Sequence, residues 1–177
     1  QKTAYEIVSR DWSSDVCSSD LDQAQFSFVR SIELRPEYAP AHYNLGIALH
    51  ELGRFDEAVR SYQNALNIVP NYAQAHSNLG DSLQALGRPN EALVCYDRAL
   101  SLSPHYVEAH SNKGNALFCL KRTAEAITSY EQAITLNPQY AEAHYNLGNA
   151  WLKLGKADKA LICFDRALEI RPLHADT

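Results

Sequence analysis

The chain has 177 residues, of which 46% are hydrophobic and 21% charged, and its formal net charge is −5. This acidic balance argues against a nucleic-acid partner, because proteins that bind the phosphate backbone carry a basic patch or stripe. No apolar run reaches the roughly 18 residues of a membrane span, so we expect no membrane partner either.

Residues 1–21 differ from the rest of the chain. They contain, in order, two blocks that resemble the translated constant parts of the index-bearing adapter used in short-read sequencing libraries: QKTAYEI and DWSSDVCSSDL. We therefore predict a non-native, disordered leader and exclude it from functional interpretation. The alternative is a natural disordered leader rich in Ser and Asp.

After the leader, three residue types recur at a step of 34 residues. Fixed spacing over this length indicates one supersecondary unit copied along the chain, so we predict a solenoid and not a globule with a single core. A solenoid offers a long surface and few enclosed pockets, which favours recognition over catalysis. The recurring residues are Pro36, Pro70, Pro104, Pro138 and Pro172; Gly46, Gly80, Gly114 and Gly148; His42, His76, His110 and His144.

The repeat leaves an incomplete piece at each end of the chain. Residues 22–38 align with the second half of the later units and are predicted to be the second helix of a truncated repeat. Residues 175–177 are predicted to begin another unit that is also truncated. The complete units between these pieces are 39–72, 73–106, 107–140 and 141–174.

The first complete unit reads as two helices. Apolar residues recur at helical spacing from Ala41 to Leu52, and Gly53 follows as a C-terminal helix stop. Asp56 is placed to cap the second helix. Each unit is therefore predicted to be a helical hairpin, and stacked hairpins give an all-α fold with a continuous core.

Small residues at Gly46, Ala58 and Ala65 recur in every complete unit. They predict close approach of the two helices, with the ring of Tyr62 filling the space beside them.

The third unit departs from the pattern at its turn. There Lys121 replaces the glycine and Ala124 replaces the capping residue. If the turn keeps a left-handed residue, Lys121 costs about 1 kcal/mol. Thr123 is the substitute cap that we expect.

The pattern A-H-x-N-L-G, followed by A-x-x-x-Y-x-x-A-L and then Pro, resembles the tetratricopeptide repeat. The resemblance covers the four complete units and the half unit before them. It implies a right-handed superhelical α-solenoid of antiparallel helix pairs, whose first helices line the concave face and whose second helices form the convex face. It also implies a protein–protein interaction scaffold that binds an extended polypeptide segment in the concave groove.

In this family a polar stripe on each first helix faces the groove. Its most regular feature here is one asparagine in each unit, which we call the asparagine ladder. An asparagine amide can hold a peptide backbone through a donor and an acceptor, or it can bond to the neighbouring repeat or to water. Serines stand beside the ladder in the middle units, and tyrosines in the outer ones would give aromatic contact. The candidate peptide-binding residues are the ladder (Asn44, Asn78, Asn112 and Asn146), Tyr43, Tyr145, Asp81, Asn115 and Asn149.

Some family members clamp the acidic C-terminal tails of chaperones with Lys and Arg on these first helices. The matching places here include Glu108 and Glu142, which would repel a carboxylate, so we do not expect an acidic chaperone tail as partner. Lys113 and Lys153 are interpreted as isolated and unpaired.

The recurring histidines invite a metal interpretation. Neighbouring copies should lie roughly 10 Å apart, whereas zinc needs nitrogens about 2 Å from one centre. We expect instead a half-buried packing residue with one ring nitrogen bonded. Since no phosphate loop, dinucleotide fingerprint or nucleophile motif occurs either, we predict no metal, no cofactor and no enzymatic activity.

The A-H-x-N-L-G motif with its asparagine ladder is also similar to the tetratricopeptide arm of protein O-linked N-acetylglucosamine transferases. There the superhelix delivers polypeptide to a C-terminal catalytic domain. This alternative makes the chain a substrate-recognition arm; a third is an architectural array that self-assembles. Three cysteines in the repeats, which we expect to be free thiols, favour a reducing compartment and hence the cytoplasm.

Overall fold

The computed structural model describes residues 18–172, and within this range the chain forms nine helices and no strand. The prediction of an all-α fold is confirmed. The first 17 residues of the leader and the last repeat fragment at 175–177 lie outside the described residues. The helices are α1 (Ser18–Leu34), α2 (Ala39–Glu51), α3 (Phe55–Ile68), α4 (Ala73–Ala85), α5 (Pro89–Leu102), α6 (Val107–Cys119), α7 (Thr123–Leu136), α8 (Ala141–Lys153) and α9 (Ala157–Ile170).

The chain divides into two compact units, residues 1–87 and residues 88–177. In the first unit each helix packs against the next, from α1 to α4, and α2 also touches α4. In the second unit the same succession runs from α5 to α9, and α6 also touches α8. Each unit is therefore a stack of antiparallel helix pairs in which equivalent helices of neighbouring repeats meet, as a solenoid requires.

Helix α1 begins at Ser18, inside the segment that the sequence assigns to a disordered leader. Leu21, the last residue of that segment, is buried. The helix extends across the predicted boundary because burying an apolar side chain stabilises the turn that carries it. Farther along α1, Ala24 and Phe28 form a buried cluster with Ala48 of α2, so this helix packs as the second helix of a repeat.

The small residues do bring the two helices of a repeat together. A Cβ added at Gly46 of α2 would lie 2.5 Å from the ring of Tyr62 on α3, well inside normal contact distance. Tyr62 is 1% exposed, and Ala58 and Ala65 beside it are fully buried. The same close approach occurs in two repeats of the second unit, in the pairs Gly114–Tyr130 and Gly148–Phe164.

The turn between the two helices is closed by a Schellman motif. Arg54 N donates to Leu49 O at 2.8 Å, and Gly53 N donates to His50 O at 2.9 Å. The motif requires a left-handed residue, and Gly53 has φ +72°. The glycines at the equivalent turns, Gly87 and Gly155, have the same φ.

Lys121 adopts this left-handed conformation without being glycine. Its φ is 61°, the only positive value at a non-glycine residue in the described part of the chain. Lys121 N and Arg122 N donate to Phe118 O and Leu117 O, so the third repeat keeps the motif despite the strain.

The predicted caps of the second helices are wrong. The N-cap positions are held by arginine or lysine without a side-chain capping bond, and Asp56 and Thr123 lie within the first turn. The helices therefore begin earlier than the cap assignment assumed. Arg54, at the N-cap of α3, instead forms a salt bridge with Glu57 at 2.7 Å. The carboxylate of Asp56 remains favourable there, because it lies near the positive end of the helix dipole.

Candidate functional site

The recurring histidine fixes each first helix to the loop before it. His42 Nε2 lies 2.8 Å from Pro36 O, six residues earlier. Because a carbonyl oxygen only accepts, Nε2 carries the proton and donates it. One ring nitrogen is bonded as predicted, and its partner is the conformationally fixed proline. The other pairs are His76–Pro70 at 3.0 Å, His110–Pro104 at 2.9 Å and His144–Pro138 at 3.1 Å.

Within the described residues, no three His, Cys, Asp or Glu side chains lie where they could hold a metal ion together. The helices of the same range are all too short or too polar to cross a membrane.

In the first unit, the asparagine ladder links adjacent repeats. Asn78 on α4 donates from Nδ2 to the hydroxyl of Tyr43 on α2, at 3.1 Å. This is the neighbouring-repeat bond that the sequence left as an alternative to ligand contact. It holds the Asn78 amide in one orientation. Asn78 is half-buried, as are Asn44 on α2 and Asp81 on α4.

The second unit shows the same linkage with a different partner. Asn146 on α8 donates from Nδ2 to Asn115 Oδ1 on α6, at 3.0 Å. Asn115 Oδ1 also accepts the hydroxyl of Tyr130, at 2.8 Å. The structure thus brings together two predicted site residues, Asn115 and Asn146, in one network. Asn112 and Asn149 are half-buried on the same helices.

The two candidate tyrosines differ in how much of their surface a ligand could contact. The ring of Tyr43 is half-buried, with its centroid 4.7 Å from Tyr72 and 5.9 Å from Tyr62. The ring of Tyr145 packs against Phe164 at a tilt of 50°, with the centroids 5.5 Å apart, and Tyr145 is 55% exposed. Tyr145 therefore offers the larger surface to a ligand, whereas the Tyr43 hydroxyl already accepts a bond within the repeat array.

The serines that stand beside the ladder in the middle units do not reach the surface. Ser77 is 1% exposed and Ser111 is fully buried. The longer tyrosines at the equivalent places are more accessible, since Tyr43 is half-buried and Tyr145 is exposed.

A recess of about 240 Å³ opens between α2, α3 and α4 in the first unit. It combines two carboxylates, an imidazole, an amide and a phenol around one aliphatic side chain. Its lining residues are Ile47, His50, Glu51, Tyr62, Asn78 and Asp81.

The surroundings of His50 in this recess favour its neutral form. Ser82 Oγ donates its proton to Asn78 O at 3.2 Å, so at the 2.9 Å contact with His50 it accepts, and His50 Nδ1 carries the proton. Nε2 then holds a lone pair. Burial lowers the pKa of His50, although the nearby carboxylate of Glu51 acts in the opposite sense.

Sequence reasoning missed His50, Glu51 and Tyr62 as possible site residues. A signal was present, because His50 and Glu51 follow Tyr43 and Ile47 at helical spacing on the same stripe of α2. The contribution of Tyr62 could not be read in this way, since it comes from the second helix.

A second hollow, of about 570 Å³, lies between α8 and α9 in the second unit. It is mainly apolar, and charged groups are part of its lining. Its residues are Ala141, Glu142, Tyr145, Phe164, Ala167, Leu168 and Arg171.

The interpretation of Lys113 as an isolated charge is wrong. Its Nζ forms a salt bridge of 2.7 Å with Asp97 on α5. The partner lies on a different helix, which is why spacing within one helix did not reveal it.

Glu108 and Glu142 are exposed on the first helices, as the argument against a carboxylate ligand assumed.

Three family models match the chain, and all of them describe one repeat type. Two are described as tetratricopeptide repeats and match residues 37–105 and 141–173. The third is described as a TPR repeat and matches residues 114–155. No curated protein matches the chain.

Solved structures of the same repeat fold are similar along most of the chain. YrrB, described as a TPR protein with an unusual peptide-binding site, is 27% identical with a TM-score of 0.72, over 88% of this chain and 80% of YrrB. TTC0263, a thermophilic TPR protein of Thermus thermophilus, is 25% identical with a TM-score of 0.76, over 89% and 87%. MamA of Desulfovibrio magneticus RS-1 is 21% identical with a TM-score of 0.79, over 89% of each chain.

Proposed function

Because the chain belongs to the tetratricopeptide repeat family and is in general terms a protein-interaction scaffold, we propose that it binds polypeptide in extended conformation. In this proposal each unit binds polypeptide on the polar faces of its own first helices, which are α2 and α4 in the first unit and α6 and α8 in the second. The asparagine ladder contacts its backbone.

The observation that carries the proposal is the fixed orientation of the ladder amides. Asn78 and Asn146 are each held by a bond of Nδ2 to the preceding repeat. An amide has two N–H donors and an acceptor, so one such bond orients the group without using all of its capacity. Groups fixed in advance bind with less loss of side-chain entropy, about 0.5–1.5 kcal/mol for each side chain that need not be immobilised.

Aromatic and polar side chains on the same helix faces also support the proposal. Tyr145, more than half exposed beside Phe164, gives an apolar platform in the second unit. Asp81 and Asn149 extend the polar stripe by one turn on α4 and α8. YrrB shares the fold at 27% identity and is described as having a peptide-binding site, which favours a peptide ligand here as well.

The test is a triple variant, Asn78→Ala with Asn112→Ala and Asn146→Ala. A display library of extended peptides first supplies a ligand, and its affinity is then measured by isothermal titration calorimetry well below the melting transition. We expect a loss of at least about tenfold, since each backbone hydrogen bond lost contributes about 0.5–1.5 kcal/mol. Unchanged affinity would rule out the ladder as the binding element.

The triple variant should have a second effect, because the ladder also links repeats. Removing Asn78 and Asn146 deletes two bonds between repeats, so the melting temperature should fall as well. Tyr43→Phe is the matched control: it deletes the bond to Asn78 and keeps both the amide and the ring. Since pre-orientation of the amide is part of the proposal, Tyr43→Phe should lose some affinity but less than Asn78→Ala alone. An equal loss would mean that the Asn78 amide makes no bond of its own to the ligand.

A substrate-recognition arm of a protein O-linked glycosyltransferase would use these same faces and stays an alternative proposal. Repeats of this fold are typically non-catalytic scaffolds, so the arm would act by presenting polypeptide to another domain. Sequencing of the source DNA beyond residue 177 tests the arm directly, because the arm requires a transferase domain there.

Cys95, Cys119 and Cys163 are free thiols, which favours our proposal of a cytoplasmic location.

A further inference from the structure

The recess of the first unit has a counterpart in the second unit with a different set of side chains. Each residue that lines the recess has an equivalent residue two repeats later in the second unit. Tyr62 and Asn78 correspond to Tyr130 and Asn146, so the phenol and the amide are kept. The other four places change: Ile47 to Asn115, His50 to Phe118, Glu51 to Cys119 and Asp81 to Asn149.

In the second unit the polar groups of these places bond to one another. Asn115 Oδ1 accepts both the Tyr130 hydroxyl and the Asn146 amide, at 2.8 and 3.0 Å. In the first unit Ile47 stands at the place of Asn115 and cannot accept. The first-unit recess therefore has an aliphatic wall where the second unit has the Asn115 acceptor.

The charged groups around this recess have one sign. Among the described residues, its lining includes the carboxylates of Glu51 and Asp81 and no lysine or arginine. Burial raises the pKa of the Tyr62 phenol well above its usual range, and both carboxylates raise it further, so both act on the recess. The second unit has neutral side chains at the two equivalent places, Cys119 and Asn149.

We propose that the first-unit recess binds the cationic side chain of an arginine in the extended peptide. This inference deepens the proposed function by naming a specificity site within it. The volume of about 240 Å³ exceeds that of several waters, each about 30 Å³, and so admits a long side chain. The guanidinium has five N–H donors, and the recess supplies the acceptors in Glu51, Asp81 and the lone pair of His50 Nε2.

Arginine fits the recess better than lysine for two reasons. Its planar group bonds carboxylates in pairs and is more weakly hydrated than an ammonium, so it loses less on entering a partly enclosed site. The methylene stem can also lie along the aliphatic side chain of Ile47 while the head remains among the polar groups.

The test is an NMR titration of the ¹⁵N-labelled chain with two peptides. One is acetyl-Gly-Ser-Arg-Ser-Gly-amide, and the other has citrulline, an uncharged isostere, in place of arginine. We expect the arginine peptide to shift the backbone amides of Glu51, Asn78 and Asp81, and the citrulline peptide to bind about tenfold more weakly. Glu51→Gln and Asp81→Asn should each weaken binding of the arginine peptide by about three- to tenfold.

Asp56→Asn is the matched control, because it removes one exposed carboxylate from α3 of the same unit, away from the recess. Its affinity should equal that of the parent chain, and circular dichroism should show that all three isosteric variants keep their helicity. Equal binding of the two peptides, no shifts in the recess, or affinities unaffected by both recess variants would each overturn the inference.

The two proposals fail in different ways. If both peptides equally shift the amides of the ladder residues outside the recess (Asn44, Asn112 and Asn146) and the recess variants change nothing, the peptide-binding function stands and the arginine site does not. If the arginine peptide binds in the recess while the triple ladder variant keeps full affinity, the arginine site stands and the backbone-binding ladder does not.

Discussion

Lys121 is the place where replacing one residue should stabilise this protein. It holds φ 61° at the turn between α6 and α7, where the equivalent turns have glycine at φ +72°. We predict that Lys121→Gly raises the free energy of unfolding. The strain arises because the Cβ of an L-residue crowds the following carbonyl oxygen in the left-handed region, at a cost of about 1–2 kcal/mol.

The magnitude follows from two opposing effects. Removing the Cβ relieves that strain, while glycine gives the unfolded chain more conformational freedom, which costs about 0.5–1 kcal/mol. No other large contribution is expected, since Lys121 is exposed and the Schellman bonds of the turn use backbone atoms. The net gain should be about 0.5–1 kcal/mol, or about 1–4 °C in melting temperature for a chain of this size.

The assay is urea denaturation followed by circular dichroism at 222 nm, with thermal melting as a second measure. Lys121→Ala is the control, because alanine removes the long side chain but keeps the Cβ and therefore the strain. It should gain little or nothing. A glycine variant no more stable than the parent, or an alanine variant that gains as much as the glycine variant, would refute the strain argument.

Two further predictions concern titratable groups. Burial lowers the pKa of His50 relative to the unfolded chain, so the unfolded state takes up a proton first as the pH falls through about 6.5, and the free energy of unfolding should decrease there. His50→Phe should reduce this pH dependence, measured by urea denaturation at each pH, and an equal dependence in the variant would contradict the assignment. Burial raises the pKa of Cys95 to about 11, so iodoacetamide should modify this thiol at pH 8 far more slowly than the exposed Cys119. Peptide mass spectrometry measures the two rates, and equal rates would contradict the effect of burial on Cys95.

The local features of the fold were readable because they depend on residues close together in sequence. The step of 34 residues, the helical spacing of apolar residues and the glycine stops set the helices and their turns. The pairing of Gly46 with Tyr62 followed from size alone, since a close approach of helices needs a small residue opposite a large one. Even the left-handed Lys121 was predictable by comparison with the other turns.

The caps show the limit of such reasoning even for local structure. Asp56 is a residue type that caps helices well, but it lies inside the first turn of α3, and the helix starts where the turn geometry places it. Residue preference and turn length compete within two or three positions, and the sequence pattern does not say which prevails.

The sequence by itself determined the repeat, the helix pairs and the polar stripe of the first helices, because each arises from periodicity within a single unit. The tertiary structure alone decided what the side chains on that stripe do. The bond from Asn78 to Tyr43, the network centred on Asn115 and the recess around His50 join residues of adjacent repeats, about one repeat length apart in the chain. Distances between such residues depend on how one repeat stacks on the next, and that stacking is fixed by packed side-chain volumes and not by spacing along the chain.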